Sequence, residues 1–257
     1  AENVRVPLAQ LATYVGEVVL TNIPKVELKS GRKNSLINAR FAINQEVVSG
    51  TVVLAAGDFG HDMMFGGASG CTYTFSTTNN TTVLTISAGS IKQVVASEDV
   101  QVGLNVLSHT GTSQCRINGG AYGASGTVTA TLTGGSNVVC EWGIGTLSLV
   151  QLEQSSYATD FEYIKFNEDL DGCQKYFSKS YDLATAAGTI TSVGRLASVS
   201  SGSSSADLAF NCGFNVRMRS TPAVTVYSPT SGIASRAGGT ADIIVYVATV
   251  GEANATV

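Results

Sequence analysis

The chain has 257 residues, a formal net charge of −4 and 13% charged residues, against roughly 25% in an ordinary globular protein. That balance excludes a nucleic-acid partner, which needs clustered Lys and Arg to neutralise phosphates. It excludes an intrinsically disordered chain too, because 44% of residues are hydrophobic and can bury a core.

The first periodic signal is a short stripe of Val6, Leu8, Leu11, Ala12 and Val15, with Pro7 tolerated in a first helical turn and Gly16 placed to end it. So short a helix is marginal alone and needs something to pack on. It either caps the first β-module or docks on another subunit. Lys25, Lys29, Arg32 and Lys33 follow beside Pro24 and Gly31 with little periodicity, and read as a solvated linker.

From residue 34 to 152 short strands recur with turn residues between them. Cys71, Tyr73 and Phe75 alternate with threonines. Asn79-Asn80 is a turn, and Leu84 and Ile86 alternate beyond it. Val100, Val102, Leu104 and Val106 repeat the pattern, as does 127–132, and Gly119-Gly120 and Gly134-Gly135 mark tight turns. Many short antiparallel strands predict a sandwich or jelly roll.

Asn167 is placed to N-cap a helix, with Glu168 and Asp169 near its positive end. Leu170, Cys173 and Phe177 give that helix one apolar face, and Gly172 costs about 1 kcal/mol relative to Ala, so packing must stabilise it. The expected role is a strut between two β-modules. Beyond it, Phe210, Cys212, Phe214, Val216 and Met218 alternate without a break and predict a strand, with a return strand through Val224 and Val226. Residues 242–247 are apolar on both phases, as in a strand covered on both faces. Residues 198–205 form a low-complexity loop tip.

The fold class is therefore all-β: two β-sandwich or jelly-roll modules joined by a short helix, with a short N-terminal helical anchoring segment. The expected division is an anchor and linker at 1–33, a jelly-roll domain at 34–155, a connecting segment at 156–180 and a C-terminal β-sandwich at 181–257.

Chemistry is sparse. The five cysteines are odd in number and never two apart, so neither a zinc site nor a disulfide framework is expected, and all five read as reduced. No run approaches the roughly 18 apolar residues of a membrane span, and Ala1-Glu-Asn lacks the basic start and apolar run of a signal peptide. His61-Asp62 with Ser69 or Ser108 has no nucleophile-elbow context, and His61 reads as a hydrogen-bonding loop residue. Asp58/Asp62 and Glu98/Asp99 have only sequence proximity to recommend them as a carboxylate pair. No catalytic residue, metal ligand or cofactor is expected.

A binding site is the remaining possibility. Trp142 with Glu141, and Tyr122 in the Asn118-Gly-Gly-Ala-Tyr turn, are candidates for an aromatic platform with polar neighbours; Trp142 reads first as a core residue and second as a platform. Asp62 is the fourth candidate. Asn211, Asn215 and Arg217 read as solvated surface or subunit interface.

Several segments carry a family resemblance. Val150-Gln-Leu-Glu-Gln-Ser-Ser-Tyr-Ala-Thr-Asp-Phe-Glu-Tyr-Ile, running on through Glu168 to Cys173-Gln-Lys-Tyr-Phe177, resembles a QLE…AT…FE…CQRY joint of bacteriophage tail-fibre and related virion proteins. Asn34-Ser-Leu-Ile-Asn-Ala-Arg-Phe-Ala-Ile-Asn-Gln45 is similar to the opening of their first module. Gly70-Cys-Thr-Tyr-Thr-Phe75, Ile117-Asn-Gly-Gly-Ala-Tyr122 and Gly143-Ile-Gly-Thr-Leu-Ser148 continue the match, which spans roughly residues 34 to 182. Gly60-His-Asp-Met-Met64 departs from it: Met63-Met64 stand where an Arg-Trp pair is usual, so only Asp62 of that element is kept.

The resemblance implies a jelly roll like those of carbohydrate-binding modules, in a non-enzymatic virion component made in the host cytoplasm and working on the particle. It implies a homotrimer, contacts with other virion proteins and attachment to a host surface glycan. It also makes Val6, Leu8, Leu11 and Val15 an anchor. The alternative is a head-decoration or adaptor protein that makes only protein–protein contacts.

Overall fold

The computed structural model describes residues 32–123, 126–195, 213–235 and, in backbone alone, 236–237 and 243–244. The anchoring stripe Val6, Leu8, Leu11 and Val15 lies outside the described residues, as do Phe210, Asn211, Cys212, the loop at 198–205 and most of 242–247.

The described chain is mostly β. Eight strands form one antiparallel sheet: β1 (Val52–Leu54), β2 (Phe65–Thr78), β3 (Thr81–Val95), β4 (Gly103–Thr110), β5 (Cys115–Ile117), β6 (Thr127–Leu132), β7 (Val138–Trp142) and β8 (Gly145–Glu153). The order is β1-β2-β3-β8-β4-β6, with β7 also on β3 and β5 on β7. Among the described residues one α-helix, α1 (Phe166–Gln174), follows, and β9 (Arg236–Ala237) pairs with β10 (Ile243–Ile244) in a separate two-stranded sheet.

The long hairpin β2–β3 organises the sheet. Asn79 and Asn80, at φ 51° and 57°, make the two-residue turn expected there, since Asn tolerates the left-handed region better than other side chains. Further along, the hairpin bends. Gly70 and Gly89 face each other at φ 74° and 69°, the register shifts between Gly66 and Cys71, and a Cβ on Gly89 would strike the Gly70 carbonyl. The bend lets β3 serve two neighbours. Leu84–Ile86 pairs with β8, and the stretch from Ile91 to Val95 pairs with β7. The strands thereby surround one core, in which Tyr73, Leu84, Ile91, Leu107, Cys115, Cys140, Trp142, Leu147 and Val150 are fully buried. Each such aliphatic side chain stabilises the fold by about 1.5–3 kcal/mol. Cys71, Cys115 and Cys140 are free and buried, and Cys173 is buried as well.

Three expectations need correction. The uninterrupted alternation through Phe214, Val216 and Met218 does not form a strand: the described part, 213–219, is irregular, and Phe214 is 40% exposed. Alternation supplies two faces, but a strand also needs a ladder partner. Here the Arg219 N–H instead donates to the Lys175 carbonyl at the end of α1. Second, Val224 and Val226 carry no return strand; only an isolated bridge joins Tyr227 to Ala234. Third, Asn167 is not the N-cap of the helix. Lys165 occupies that position without a side-chain cap bond, and α1 begins at Phe166. Glu168 and Asp169 do fall in the first turn.

Helix α1 is held by packing. Cys173, with Ile43 and Met63, forms a second small core against which Ile37, Leu170 and Tyr176 lie. Gly172 has a specific reason: a Cβ there would sit 3.1 Å from Ile37 Cγ2, so its absence lets the helix approach the opening segment.

Candidate functional site

The segments that carry the family resemblance come together in space. The opening segment 34–45 forms no strand; it threads through the molecule with alternate residues buried, and its amides replace a ladder. Asn34 Nδ2 donates to the Val150 carbonyl at 3.0 Å, while its Oδ1 accepts from Leu36 N and Leu152 N. Asn38 Nδ2 donates to the carbonyls of Ile43 and Asp62, and its Oδ1 accepts from Ile43 N. Asn38 N donates in turn to Asp169 Oδ1 at 2.7 Å, which ties the segment to α1. Gln93 pairs with both the N–H and the carbonyl of Ile37, each at 2.8 Å. Buried backbone groups require such partners, and side-chain amides carry both donor and acceptor.

The Gln151-Leu152-Glu153 end of β8 splits by the period of two. Leu152 enters the core, while Gln151 and Glu153 face the opposite side, buried beneath the next segment, which they hold as a strap. Gln151 Oε1 accepts from Glu162 N at 2.8 Å, and Glu153 accepts from Thr159 N and Thr159 Oγ1 at 2.8 and 2.7 Å. Glu162 Oε2 accepts from Lys33 N and Asn34 N at 3.0 and 2.7 Å. Lys33 Nζ closes the ring on Thr159 Oγ1 and the Asp160 carbonyl. Strap, opening segment and strand end therefore form one closed network.

The His61-Asp62 loop is part of the same construction. Asp62, 6% exposed, accepts from Gln45 N and Gln45 Nε2, both at 2.6 Å, and Gln45 Nε2 also donates to the Phe177 carbonyl. Burial pushes the Asp62 carboxyl above its usual range, against the hydrogen bonds from Gln45 and the charge of Lys179. Lys179 Nζ donates to the carbonyls of Gln45, Leu183 and Thr185. His61, 1% exposed, sits 3.0 Å by Nδ1 from the Tyr73 hydroxyl and edge-on to Phe75, and burial lowers its pKa to about 4. Met63 and Met64 pack into the two cores. The loop clamps its own chain and presents no free carboxylate.

Of the other candidates, Glu141 and Trp142 are adjacent on β7 and both buried, at 3% and 0%. Trp142 faces the main core, so no face of its indole is open for a sugar to stack on. Glu141 faces the other side, directly opposite Lys92 on β3 and Arg116 on β5. It accepts from Ser90 Oγ at 2.6 Å, Arg116 Nε at 2.8 Å and the Tyr122 hydroxyl at 3.3 Å, with Lys92 Nζ at 3.7 Å. Burial raises its pKa, but the Ser90 and Arg116 bonds and the two cations outweigh this and hold it low. The half-buried Tyr122 ring lies over the Arg116 guanidinium, 4.5 Å from its centroid. The structure thus brings Glu141 and Tyr122 together, places Asp62 in a separate loop and puts Trp142 in the core.

The carboxylates weighed as a catalytic pair are engaged separately: Asp58 Oδ2 accepts from Ala55 N, Glu98 pairs with Arg219, and Asp99 with Lys175. Among the described residues no cluster of three or more His, Cys, Asp or Glu side chains could hold a metal, and no helix is long and apolar enough to cross a membrane.

Sequence reasoning missed the strap's aromatics. Tyr163 is 67% exposed, meets Phe161 edge-on at 5.0 Å, and has the Arg40 guanidinium 5.9 Å from its centroid. Tyr157 is 53% exposed on the same strap. The signal was visible in the aromatic spacing Tyr157, Phe161, Tyr163, Phe166, within a segment valued only for its resemblance.

Comparison with family models, with curated proteins and with solved structures finds no match.

Proposed function

We propose that this chain is a non-enzymatic structural protein of a tailed-bacteriophage particle, a tail-fibre or fibre-like component that attaches the virion to host surface glycans. In this reading residues 34–155 are a jelly-roll module, 181–257 a second β-module, and the chain assembles as a homotrimer with other virion proteins.

The observation that supports it is the interlock of the family-like segments. Asn34 of the opening, Gln151 and Glu153 of the strand end, and Thr159 and Glu162 of the joint satisfy one another, while Asn38 meets Asp169 and Gln45 meets Asp62 and the Phe177 carbonyl, most of these bonds spanning roughly 120 residues of sequence or more. Residues tied by such long-range hydrogen bonds are constrained together, which gives these motifs a physical reason to occur as a set. The tying down of the candidate carboxylates supports a binding or structural role over hydrolysis.

The solution mass of the full chain by light scattering tests the assembly. A species of three times 26.5 kDa is expected. A monomer across the micromolar range contradicts the fibre and favours a head-decoration or adaptor protein.

A further inference from the structure

Among the described residues, five aromatic side chains are more than a third exposed: Phe59, Tyr157, Tyr163, Phe166 and Phe214. Three of them fall between residues 157 and 166, on the strap and the first residue of α1. Exposed rings concentrated in one short segment call for an explanation that scattered ones do not.

The strap's backbone is fixed. Gln151, Glu153, Lys33 and Glu162 hold it at Thr159, Asp160 and Glu162, and Ile164, 8% exposed, is buried beyond them. Arg40 Nη2 donates to the Ile164 carbonyl at 2.9 Å, which places its guanidinium over Tyr163. Even with Arg40 over its ring and Phe161 in a T-shaped contact, Tyr163 stays 67% exposed, so much of its surface is open. A ring held in advance loses little conformational entropy when something flat and apolar stacks on it.

The chemistry of the neighbours selects the occupant. Asp160, Glu162 and Lys165 alternate with the aromatics along the strap, so its exposed rings stand among hydrogen-bonding groups. A stable protein partner would require a continuous desolvated patch. A pyranose ring matches the alternation, because it has an apolar C–H face and a rim of hydroxyls.

We propose that Tyr163, braced by Arg40 and Phe161, is a saccharide-stacking platform, with Tyr157 as a second ring on the same strap. This rests on the host-glycan reading of the chain and moves its site away from Trp142 and Glu141.

Native-gel affinity electrophoresis of the full chain against a soluble glucan, mannan, galactan and rhamnan tests it. The native chain is expected to be retarded by at least one of them, Tyr163→Ala to weaken that binding about tenfold, Tyr157→Ala to weaken it less, and Tyr163→Trp to preserve it. Phe59→Ala, an exposed ring off the strap, should bind as the native chain does, and matching thermal melts would show the variants folded. Retardation that survives both Tyr163→Ala and Tyr157→Ala overturns the platform and leaves the glycan reading standing. No retardation by any of the four polymers overturns both. An oligomer that Tyr163→Ala dissolves assigns the rings to a subunit contact and overturns the platform as well.

Discussion

The backbone N–H of Asn38 donates to the Asp169 carboxylate at 2.7 Å, across 131 positions of chain. Both residues are buried, at 0% and 1%, so this bond fastens helix α1 to the opening segment inside the protein. Removing the acceptor strands a buried donor. Asp169→Ala is therefore expected to cost about 2–3 kcal/mol in urea unfolding, and Asp169→Asn, which keeps an oxygen there, to cost less. Equal losses would mean that charge, not the bond to Asn38, sets the effect.

Glu141 neutralises two cations on neighbouring strands. Glu141→Gln should lower stability by about 2–4 kcal/mol, because Lys92 and Arg116, on the strands either side of β7, lose the anion between them. A second change, Arg116→Met, should recover part of that loss, and a thermal-melt double-mutant cycle measures the coupling. Strict additivity would contradict the network.

His61 makes stability depend on pH. Its folded pKa of about 4 lies below the ordinary 6.5, so between those values the unfolded chain binds more protons and stability falls as the solution is acidified. The loss should approach 3 kcal/mol, at about 1.4 kcal/mol per pH unit. Asp62 and Glu46, both raised first by burial, act in the opposite sense. The difference between native protein and His61→Gln therefore isolates the histidine, and the variant's profile should be flatter from pH 7 down to 4. An unchanged profile would place the imidazole in water.

Trp142 is the only tryptophan and is fully buried. Its emission should be that of an indole in apolar surroundings, resist iodide quenching and stay unmoved when a saccharide binds. Quenching in the native protein would contradict its place in the core.

The hairpin β2–β3 was legible because alternation and an Asn-Asn turn both act locally. The strand expected through Phe214 was not, since alternation carries no information about a ladder partner. Glu141-Trp142 left two readings open for a related reason, and the core reading of Trp142, taken first, is the one the fold adopts. Strand β7 lies between β3 and β5 and is covered on both sides, whereas period-two reasoning reserves one face for solvent. Asp169 illustrates a third limit: as a first-turn acid it suited the helix dipole, but its partner Asn38 is too distant in sequence for any local pattern to reveal. The strap's polar residues were visible as a motif, and only the fold shows that they bind one another.

The central claim is attachment to a host surface glycan, and binding of fluorescently labelled full chain to intact cells of a panel of bacterial strains tests it most directly. Saturable binding to at least one strain is expected, lost when the cells' surface glycans are oxidised with periodate. Binding that survives periodate, or no binding to any strain, would contradict it.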